Sequence, residues 1–385
     1  EIAQCLVGSE MCIRDSPSPD TQSYRLLELV AVSGEFPADQ LRRLPGGESY
    51  KANVVKVLKR DKLLRTHYQD GLRGYRLTAR AKALLLRDNR ERFTFYLTGR
   101  AETNVLKSEI TRRLRLHRIA EVWVTMDNAG IAIYQDEKPD VFYPHGSGPG
   151  PPPVLEAPAF YSSREVKELD TEAVKIHGAR MVGALLTVDC VYAVYNTSNA
   201  IMKWSYKSEL RSKVLLKTVL CQQRLAHQYH MADVRGLIFG DGMEMARQIM
   251  TGKDEARRGY FMLDGSFDSF CYLTNDHWGE VILQLLCDPE KRAALNRLLS
   301  SDLHAKEPSW LVENDAIDQD GDPVLFAYDF DMTRIVRFTT ALELYGRRGT
   351  ILCFDFQADV LRRYCGVRVR FQTIDFKKFE GRFFS

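Results

Sequence analysis

A short polar segment in the first quarter of the chain constrains its fold more than any other feature. Residues 68–78 read "YQDGLRGYRLT", in which Asp70-Gly71 and Arg73-Gly74 lie between strand-forming residues, and a helix-forming run rich in Ala and Leu follows. Glycine between two extended segments is typical of a β-hairpin. The sequence therefore predicts two strands joined by a glycine-containing turn, followed by a helix that Thr78 caps.

Three helix-forming segments precede this hairpin. Residues 25–32 are apolar and end at Ser33-Gly34. Pro37 is expected at the first helical position of the second segment, which continues through residues 38–44 and ends at a Pro-Gly-Gly run. The third segment, "YKANVVKVLKRDKL", follows Ser49, which we expect to cap it, and its apolar residues recur at helical spacing. Three helices, a hairpin and a fourth helix are the element order of a winged helix-turn-helix. In that fold the third helix enters the major groove of DNA and the hairpin lies along the phosphates.

The charge of the chain is unevenly distributed. Residues 24–121 hold 22 Lys and Arg against 11 Asp and Glu, so they carry +11, and the remaining residues carry −8 of the overall +3. A basic N-terminal region in a chain whose remaining residues are acidic indicates a polyanionic partner for that region. Double-stranded DNA is the polyanion that fits the predicted fold. Two alternatives stay open: a basic helical surface that only faces solvent, and a winged helix that binds a protein. The residues expected to contact phosphates or base edges are Ser49, Tyr50, Asn53, Lys56, Lys59, Arg60, Arg65, Arg73 and Arg76.

The sequence beyond the hairpin predicts a connecting helix and then an α/β domain. "ETNVLKSEITRRLRLHRIAEVWVTM" is helical, and it either packs against a second copy of the chain, as in a homodimer, or joins two domains; His117 within it is expected to be structural. Strand-like and helix-like segments then alternate without an internal repeat at a fixed period, which favours a mixed sheet with helices on its faces. Strands are expected in "IAIYQDEKPDVFYP" and at residues 201–204, among other places.

The predicted fold class is therefore α/β (α+β overall). The expected domains are a winged helix-turn-helix at residues 23–98, a connecting helix at 99–128 and an α/β domain at 129–385, which divides near 225–235 if it has two parts.

A second hypothesis concerns catalysis. Pro139-Asp140 followed by Glu165-Val166-Lys167 resembles the motif of PD-(D/E)xK nucleases. If Glu165 and Lys167 project from one face of a strand, Asp140 and Glu165 would be the metal ligands of a Mg²⁺ ion and Lys167 would orient the attacking water. The alternative is that "SSRE" (162–165) is a capping box, which would place Glu165 in the first turn of a helix. We expect no cofactor other than Mg²⁺, and that ion only in a nuclease.

The cysteines and the hydropathy favour a cytoplasmic protein. The eight Cys include no CxxC pair and no metal-ligand spacing, so we expect reduced structural thiols. No apolar run reaches the roughly 18 residues of a membrane span, so no membrane partner is expected. The stretch "AQCLVGSEMCIRDS" (3–16) resembles a translated sequencing-adapter peptide, and residues 1–16 are therefore excluded from fold reasoning as non-native.

The basic winged helix, "LRLHRIAEVWVTM" with His117 and "EKPDVF" with Pro139-Asp140 together resemble the replication-relaxation family of bacterial plasmid and mobile-element proteins. That family pairs an N-terminal winged helix with a nuclease-like α/β domain, and the resemblance covers roughly residues 25–167. Where the family tends to show Glu-x-Asp on the next strand, this chain has Glu165-x-Lys167. The resemblance implies a DNA-binding protein acting in replication, maintenance or transcriptional regulation of a bacterial plasmid or integrative element. The alternatives are a Mg²⁺-dependent nuclease and a protein-interaction module without DNA binding.

Overall fold

The computed structural model describes residues 17–142, 154–169, 179–229, 234–252, 259–305 and 311–384. These residues form two compact units. The first comprises the described residues up to Asn128 together with Ile133–Lys138, and the second comprises Ala129–Ala132 and the described residues from Pro139 onward. Helices and strands alternate along the chain, which confirms the predicted α/β class.

The first unit is a set of helices around a small antiparallel sheet. The sheet has the order β1-β3-β2, in which β3 is the central strand. The element order is helix, 3₁₀ helix, helix, hairpin and helix, as the sequence predicts. In chain order the elements are α1 (Gln22–Ser33), β1 (Phe36–Pro37), a 3₁₀ helix (Ala38–Arg43), α2 (Glu48–Arg60), β2 (Leu64–Gln69), β3 (Leu72–Leu77), α3 (Ala79–Asp88), α4 (Arg90–Leu97), α5 (Ile110–Asn128) and a 3₁₀ turn (Gln135–Glu137).

The predicted hairpin is confirmed, and its turn explains its register. Strands β2 and β3 pair from Leu64↔Leu77 to Gln69↔Leu72, which leaves Asp70 and Gly71 as a two-residue turn. Both have positive φ, 52° and 76°, as the tight turns that suit twisted hairpins require. Asp and Gly are residues that adopt this conformation at low cost, so the turn fixes which side chains face each other across the hairpin.

The structure confirms the predicted end of the first helix and corrects two predictions about where the next two helices begin. Gly34 ends α1 with a φ of 79°, as predicted. Ser49 is not the N-cap of α2, because the helix already begins at Glu48 and Gly47 occupies the cap position. Pro37 lies in β1 rather than at the first helical position, and its fixed φ of −62° suits that extended strand.

Helix α5 belongs to the first unit and packs along α1. Most of its apolar side chains, Trp123 among them, are buried, whereas Leu114 is exposed. The Arg25 Nε of α1 donates a hydrogen bond to Asp127 near the end of α5, at 2.7 Å. The helix predicted as a connector is therefore part of the core of this unit.

The second unit contains two sheets with helices between their strands. The first sheet is built from β4 (Ala159–Ser162), β5 (Gly183–Leu186), β6 (Val191–Ser198), β7 (Val234–Gly240) and β8 (Phe270–Thr274), and the second from β9 (His304–Ala305), β10 (Ala316–Ile317), β11 (Pro323–Phe326), β12 (Gly349–Phe354) and β13 (Val369–Ile374). The helices are α6 (Ser163–Val166), α7 (Tyr206–Leu215), a π-helix (Leu216–Arg224), α8 (Ala226–Tyr229), α9 (Met243–Thr251), α10 (His277–Cys287), α11 (Pro289–Leu299), α12 (Met332–Leu344), α13 (Asp355–Tyr364) and α14 (Phe376–Phe383), with a 3₁₀ turn at Lys167–Leu169.

The two sheets share one topology. In each, the strands pair in chain order, first by two antiparallel and then by two parallel pairings. A helix follows the last strand in both halves, and an aspartate caps it: Asp276 for α10 and Asp375 for α14. The unit therefore repeats a fold pattern, although its sequence shows no repeat at a fixed period.

Two expected strands are absent from the described residues. Where a strand was expected in "IAIYQDEKPDVFYP", the structure has one isolated bridge from Ala132 to Ala159 and a 3₁₀ turn; the end of that segment, beyond residue 142, lies outside the described residues. Ile131 and Ile133 are buried, but the first belongs to the second unit and the other to the first. The apolar alternation therefore reflects burial in two units rather than one face of a strand. Residues 201–204 likewise contribute only a bridge from Lys203 to Tyr260.

Across the described ranges, no helix combines the length and the apolar character needed to cross a membrane. The cysteines at positions 190, 221, 271, 287, 353 and 365 are free thiols, and all but the last are buried.

One buried acid of the second unit has an unusual protonation equilibrium. Glu209 of α7 is fully buried, and its carboxylate accepts hydrogen bonds from the Tyr195 hydroxyl at 2.9 Å and from the Arg180 backbone N–H at 2.7 Å. Burial raises the pKa of Glu209 to about 7, because it disfavours the charged form more than these hydrogen bonds favour it.

We expect Glu209→Gln to reduce the pH dependence of the second unit's stability. The unfolded carboxyl loses its proton near pH 4.5 and the folded one near pH 7, so the wild type loses stability as the pH rises through this window. Between about pH 5 and about pH 8 the variant should gain about 1–3 kcal/mol relative to wild type. Hydrogen exchange in peptides of β6 and α7 measures this. Glu290→Gln, on the exposed face of α11, is the matched control. If Glu209→Gln keeps the pH dependence of the wild type, the raised pKa of Glu209 is contradicted.

Candidate nucleic-acid interface

Helix α2 has one buried and one exposed face. Val54, Val55 and Leu58 are buried in the core of the first unit. The exposed face carries polar and basic residues at helical spacing, as predicted from the sequence. Its members are Ser49, Tyr50, Asn53, Lys56 and Arg60.

The hairpin adds one cation beside this face, since Arg73 on β3 is exposed and lines the same groove as Lys56. Arg65 on β2 is also exposed, but it pairs with Arg76 and therefore projects from the other face of the hairpin. Lys59, the last predicted cation of α2, is half-buried, and its ammonium lies 5.5 Å from the centre of the Tyr75 ring on β3. An ammonium over an aromatic face is attracted by the ring electrons, so this contact holds the end of α2 against the hairpin.

An open groove of about 560 Å³ lies between the 3₁₀ helix, α2 and β3. Cations from the helix and from the hairpin face the same space, while Asp39 and Glu48 are its acidic members. The Lys51 ammonium is engaged locally, because it donates to the Arg42 carbonyl at 2.8 Å and contacts Glu48 at 3.2 Å. The basic side chains that line the groove are Arg42, Lys51, Lys56, Lys59 and Arg73. The sequence did not single out Arg42 or Lys51.

Arg76 was predicted to contact DNA, and the structure shows that this prediction is wrong. Its side chain is buried, and its guanidinium forms an ion pair with Glu35 at 2.6 Å. Because β3 is the central strand, pairing with β1 brings Glu35 next to the face that carries Arg76. Arg76 is therefore not available to a phosphate, whereas its cross-strand neighbour Arg65, on the edge strand, is exposed.

Glu35 is the centre of a buried charge cluster. Its carboxylate, with no exposed surface, accepts hydrogen bonds from Arg76 at 2.7 Å, from Arg113 at 2.6 and 3.0 Å and from His117 Nε2 at 2.9 Å. Burial alone would raise the pKa of Glu35, but these hydrogen bonds outweigh it and lower the pKa to about 2. A methyl group on Gly74 would lie 2.4 Å from Glu35 Oε1, so only glycine leaves room for the carboxylate. His117 is a structural residue, as predicted.

Arg113 of α5 also holds the β2–β3 hairpin in place. Its guanidinium donates to three backbone carbonyls around the turn, those of His67 at 3.3 Å, Gln69 at 3.1 Å and Leu72 at 2.9 Å. These carbonyls and Glu35 together satisfy the fork of donors that arginine presents. The hydrogen bonds of this buried guanidinium thereby connect the hairpin to α5. The sequence shows Arg113 only as one of several arginines on a helix, and nothing in its spacing marks it as buried.

The residues of the nuclease hypothesis adopt a different arrangement from the one predicted. Glu165 lies in the first turn of α6, where its side chain accepts from the Ser162 backbone N–H at 2.7 Å, so the capping box is confirmed and the predicted strand is wrong. Lys167 begins a 3₁₀ turn rather than sharing a strand face with Glu165. Asp140 precedes the buried Val141, outside any helix or strand.

Asp140 and Glu165 do lie near one hydroxyl group. The Tyr161 hydroxyl donates to the Pro139 carbonyl at 2.7 Å, and burial, followed by the charges of Glu165 and Asp140 among others, raises the pKa of Tyr161. Glu165 Oε2 accepts hydrogen bonds from both the backbone N–H and the hydroxyl of Ser162. In the part of the chain that the structure describes, no three His, Cys, Asp or Glu side chains are grouped to hold a metal ion.

Comparison with known proteins gives no family for this chain. It matches no protein-family model, and no curated protein or solved structure matches it. The resemblance to the replication-relaxation family stays a prediction.

We expect Glu35→Gln to destabilise the first unit in a pH-dependent way. At about pH 7 the loss should be about 3–5 kcal/mol, because two buried guanidinium groups lose their counter-charge. The wild-type carboxyl contributes stability above pH 4.5, and this contribution is lost as the pH falls toward about 2, so the difference between wild type and variant should shrink over that range. Hydrogen exchange in peptides of the β2–β3 hairpin measures this difference in the free energy of unfolding at each pH.

Glu48→Gln, an exposed glutamate on α2, is the control for this experiment. If Glu35→Gln does not fold, His117→Ala removes a single donor and should give a smaller loss in the same peptides. A loss that is the same at all pH values would contradict the ionised state of Glu35.

Proposed function

We propose that the first unit is a winged helix-turn-helix that binds double-stranded DNA, with α2 as the recognition helix and the β2–β3 hairpin as the wing. The observation that carries this proposal is the shared groove, in which Lys56 and Lys59 of the helix face the same space as Arg73 of the hairpin. Recognition of DNA in this way requires cations on both elements, because the helix enters the groove and the hairpin follows the backbone.

The residue types on α2 suit this role. Ser49 and Asn53 are exposed near the start and middle of the helix, and both side chains can donate to and accept from base edges or phosphates. Lys56 and Arg60 follow on the same face and supply charge. With the resemblance described above, we propose a role in replication, maintenance or regulation of a bacterial plasmid or integrative element, in the cytoplasm.

Two arginines of β3, the exposed Arg73 and the buried Arg76, test the proposal by their different expected effects. Arg73→Ala should raise the Kd for duplex DNA by about five- to tenfold and reduce the slope of log K against log salt by about 1, because one phosphate contact is lost. Lys56→Ala and Arg60→Ala should act in the same direction. Arg76→Ala should instead destabilise the unit, because it leaves the buried Glu35 with one partner fewer. Fluorescence anisotropy over a salt series, beside thermal unfolding, separates the two effects.

The matched control is Arg90→Ala, an exposed arginine at the start of α4 that does not line the groove. Unchanged affinity in Arg60→Ala and Arg73→Ala together would show that the groove and wing do not bind DNA. Association with an acidic protein, without any binding of DNA at low salt, would support the protein-interaction alternative instead.

A further inference from the structure

The exposed aromatic side chains of the first unit are concentrated on the proposed interface. Among its described residues, Tyr50 on α2 is 50% exposed and Tyr68 on β2 is 69% exposed, and the other Phe, Tyr and Trp side chains are buried or half-buried. Tyr68 is the most exposed aromatic residue of the whole described part. A tyrosine hydroxyl can donate to a phosphate, but that contact uses only the end of the side chain and does not account for the exposed faces of the two rings.

Tyr68 stands beside a cation at the end of the hairpin. It pairs directly with Arg73 across the two strands, two residues before Asp70 opens the turn. Residues opposite each other in an antiparallel pair project from the same face. A phenol ring and a guanidinium group, both exposed, therefore lie side by side at the tip of the wing.

The backbone under Tyr68 is held in place. The carbonyls of its neighbours His67 and Gln69 both accept hydrogen bonds from Arg113. A ring mounted on a fixed backbone loses little conformational entropy when it binds, which favours its use as a contact. Tyr50 is fixed in another way, since its ring packs over Gly46, where a Cβ atom would lie 2.8 Å from it.

We infer that this surface recognises DNA at a junction between duplex and single strand, with the duplex on α2 and an unpaired base stacked on Tyr68. A base inside a duplex is already stacked on both faces, whereas an unpaired base next to the duplex end offers a free face to an aromatic ring. Arg73 then holds the phosphate beside that base. This inference rests on the proposed DNA-binding function and names the form of DNA that the site selects.

Three labelled oligonucleotides of one sequence test it: a blunt duplex, the same duplex with two non-complementary single-stranded arms, and one strand alone. Wild type should bind the forked duplex at least about fivefold more tightly than the blunt duplex at one salt concentration. Tyr68→Ala should abolish that preference, because it weakens binding to the forked duplex at least about fivefold more than binding to the blunt duplex. Tyr68→Phe should keep the preference, because stacking uses the ring and not the hydroxyl. Arg73→Ala should weaken binding to both duplexes.

A second readout reports the stacking itself. With 2-aminopurine as the first unpaired base, wild type and Tyr68→Phe should quench its fluorescence, and Tyr68→Ala should not. Tyr206→Ala, an exposed tyrosine of the second unit, is the control. Equal affinity of wild type for blunt and forked duplexes, or equal weakening of both by Tyr68→Ala, would overturn the inference and leave duplex binding intact. Absence of binding to all three oligonucleotides would overturn the proposed function together with it.

Discussion

One buried carboxylate, that of Glu35, determines how the hairpin and helix α5 are arranged in the first unit. It joins Arg76 on the central strand to Arg113 and His117 on the helix, and Arg113 continues to the carbonyls around the turn. A charge without contact to water is tolerated only when opposite charges and hydrogen bonds replace its hydration. The strand, the helix and the turn therefore depend on one another, and Gly74 keeps the space that the carboxylate needs.

This cluster divides the basic residues of the first unit into two groups with different roles. Arg76 and Arg113 are buried and hold the fold together. Lys56 on α2 and Arg65 and Arg73 on the hairpin are exposed to solvent. The excess of positive charge in this part of the sequence is thus larger than the charge available to a polyanion. In the proposed binding mode, the fixed backbone of the hairpin holds the exposed Tyr68 ring near its tip in one position.

The second unit shows a different relation between sequence and fold. Its two sheets have the same order of antiparallel and parallel pairings, yet their residues do not repeat at a fixed period. Topology depends on the alternation of strands and helices, which many sequences satisfy, so it can recur without residue identity. Local capping is more demanding, and an aspartate is the N-cap of both helices that follow the last strands, Asp276 for α10 and Asp375 for α14. Glu165 is likewise a capping residue, because its side chain accepts the Ser162 backbone N–H in the first turn of α6.

The sequence by itself determined the local elements: the Asp70-Gly71 turn, the exposed face of α2, the glycine end of α1 and the alternation that makes the fold α/β. These follow from backbone preferences and periodicity, which act between residues close in the chain. Only the tertiary structure decided that Arg76 and Arg113 are buried, that α5 belongs to the first unit, and that residues 131–134 divide between two units. Each depends on a partner far along the chain, such as Glu35 for Arg113, and no local pattern in the sequence distinguishes a buried arginine from an exposed one.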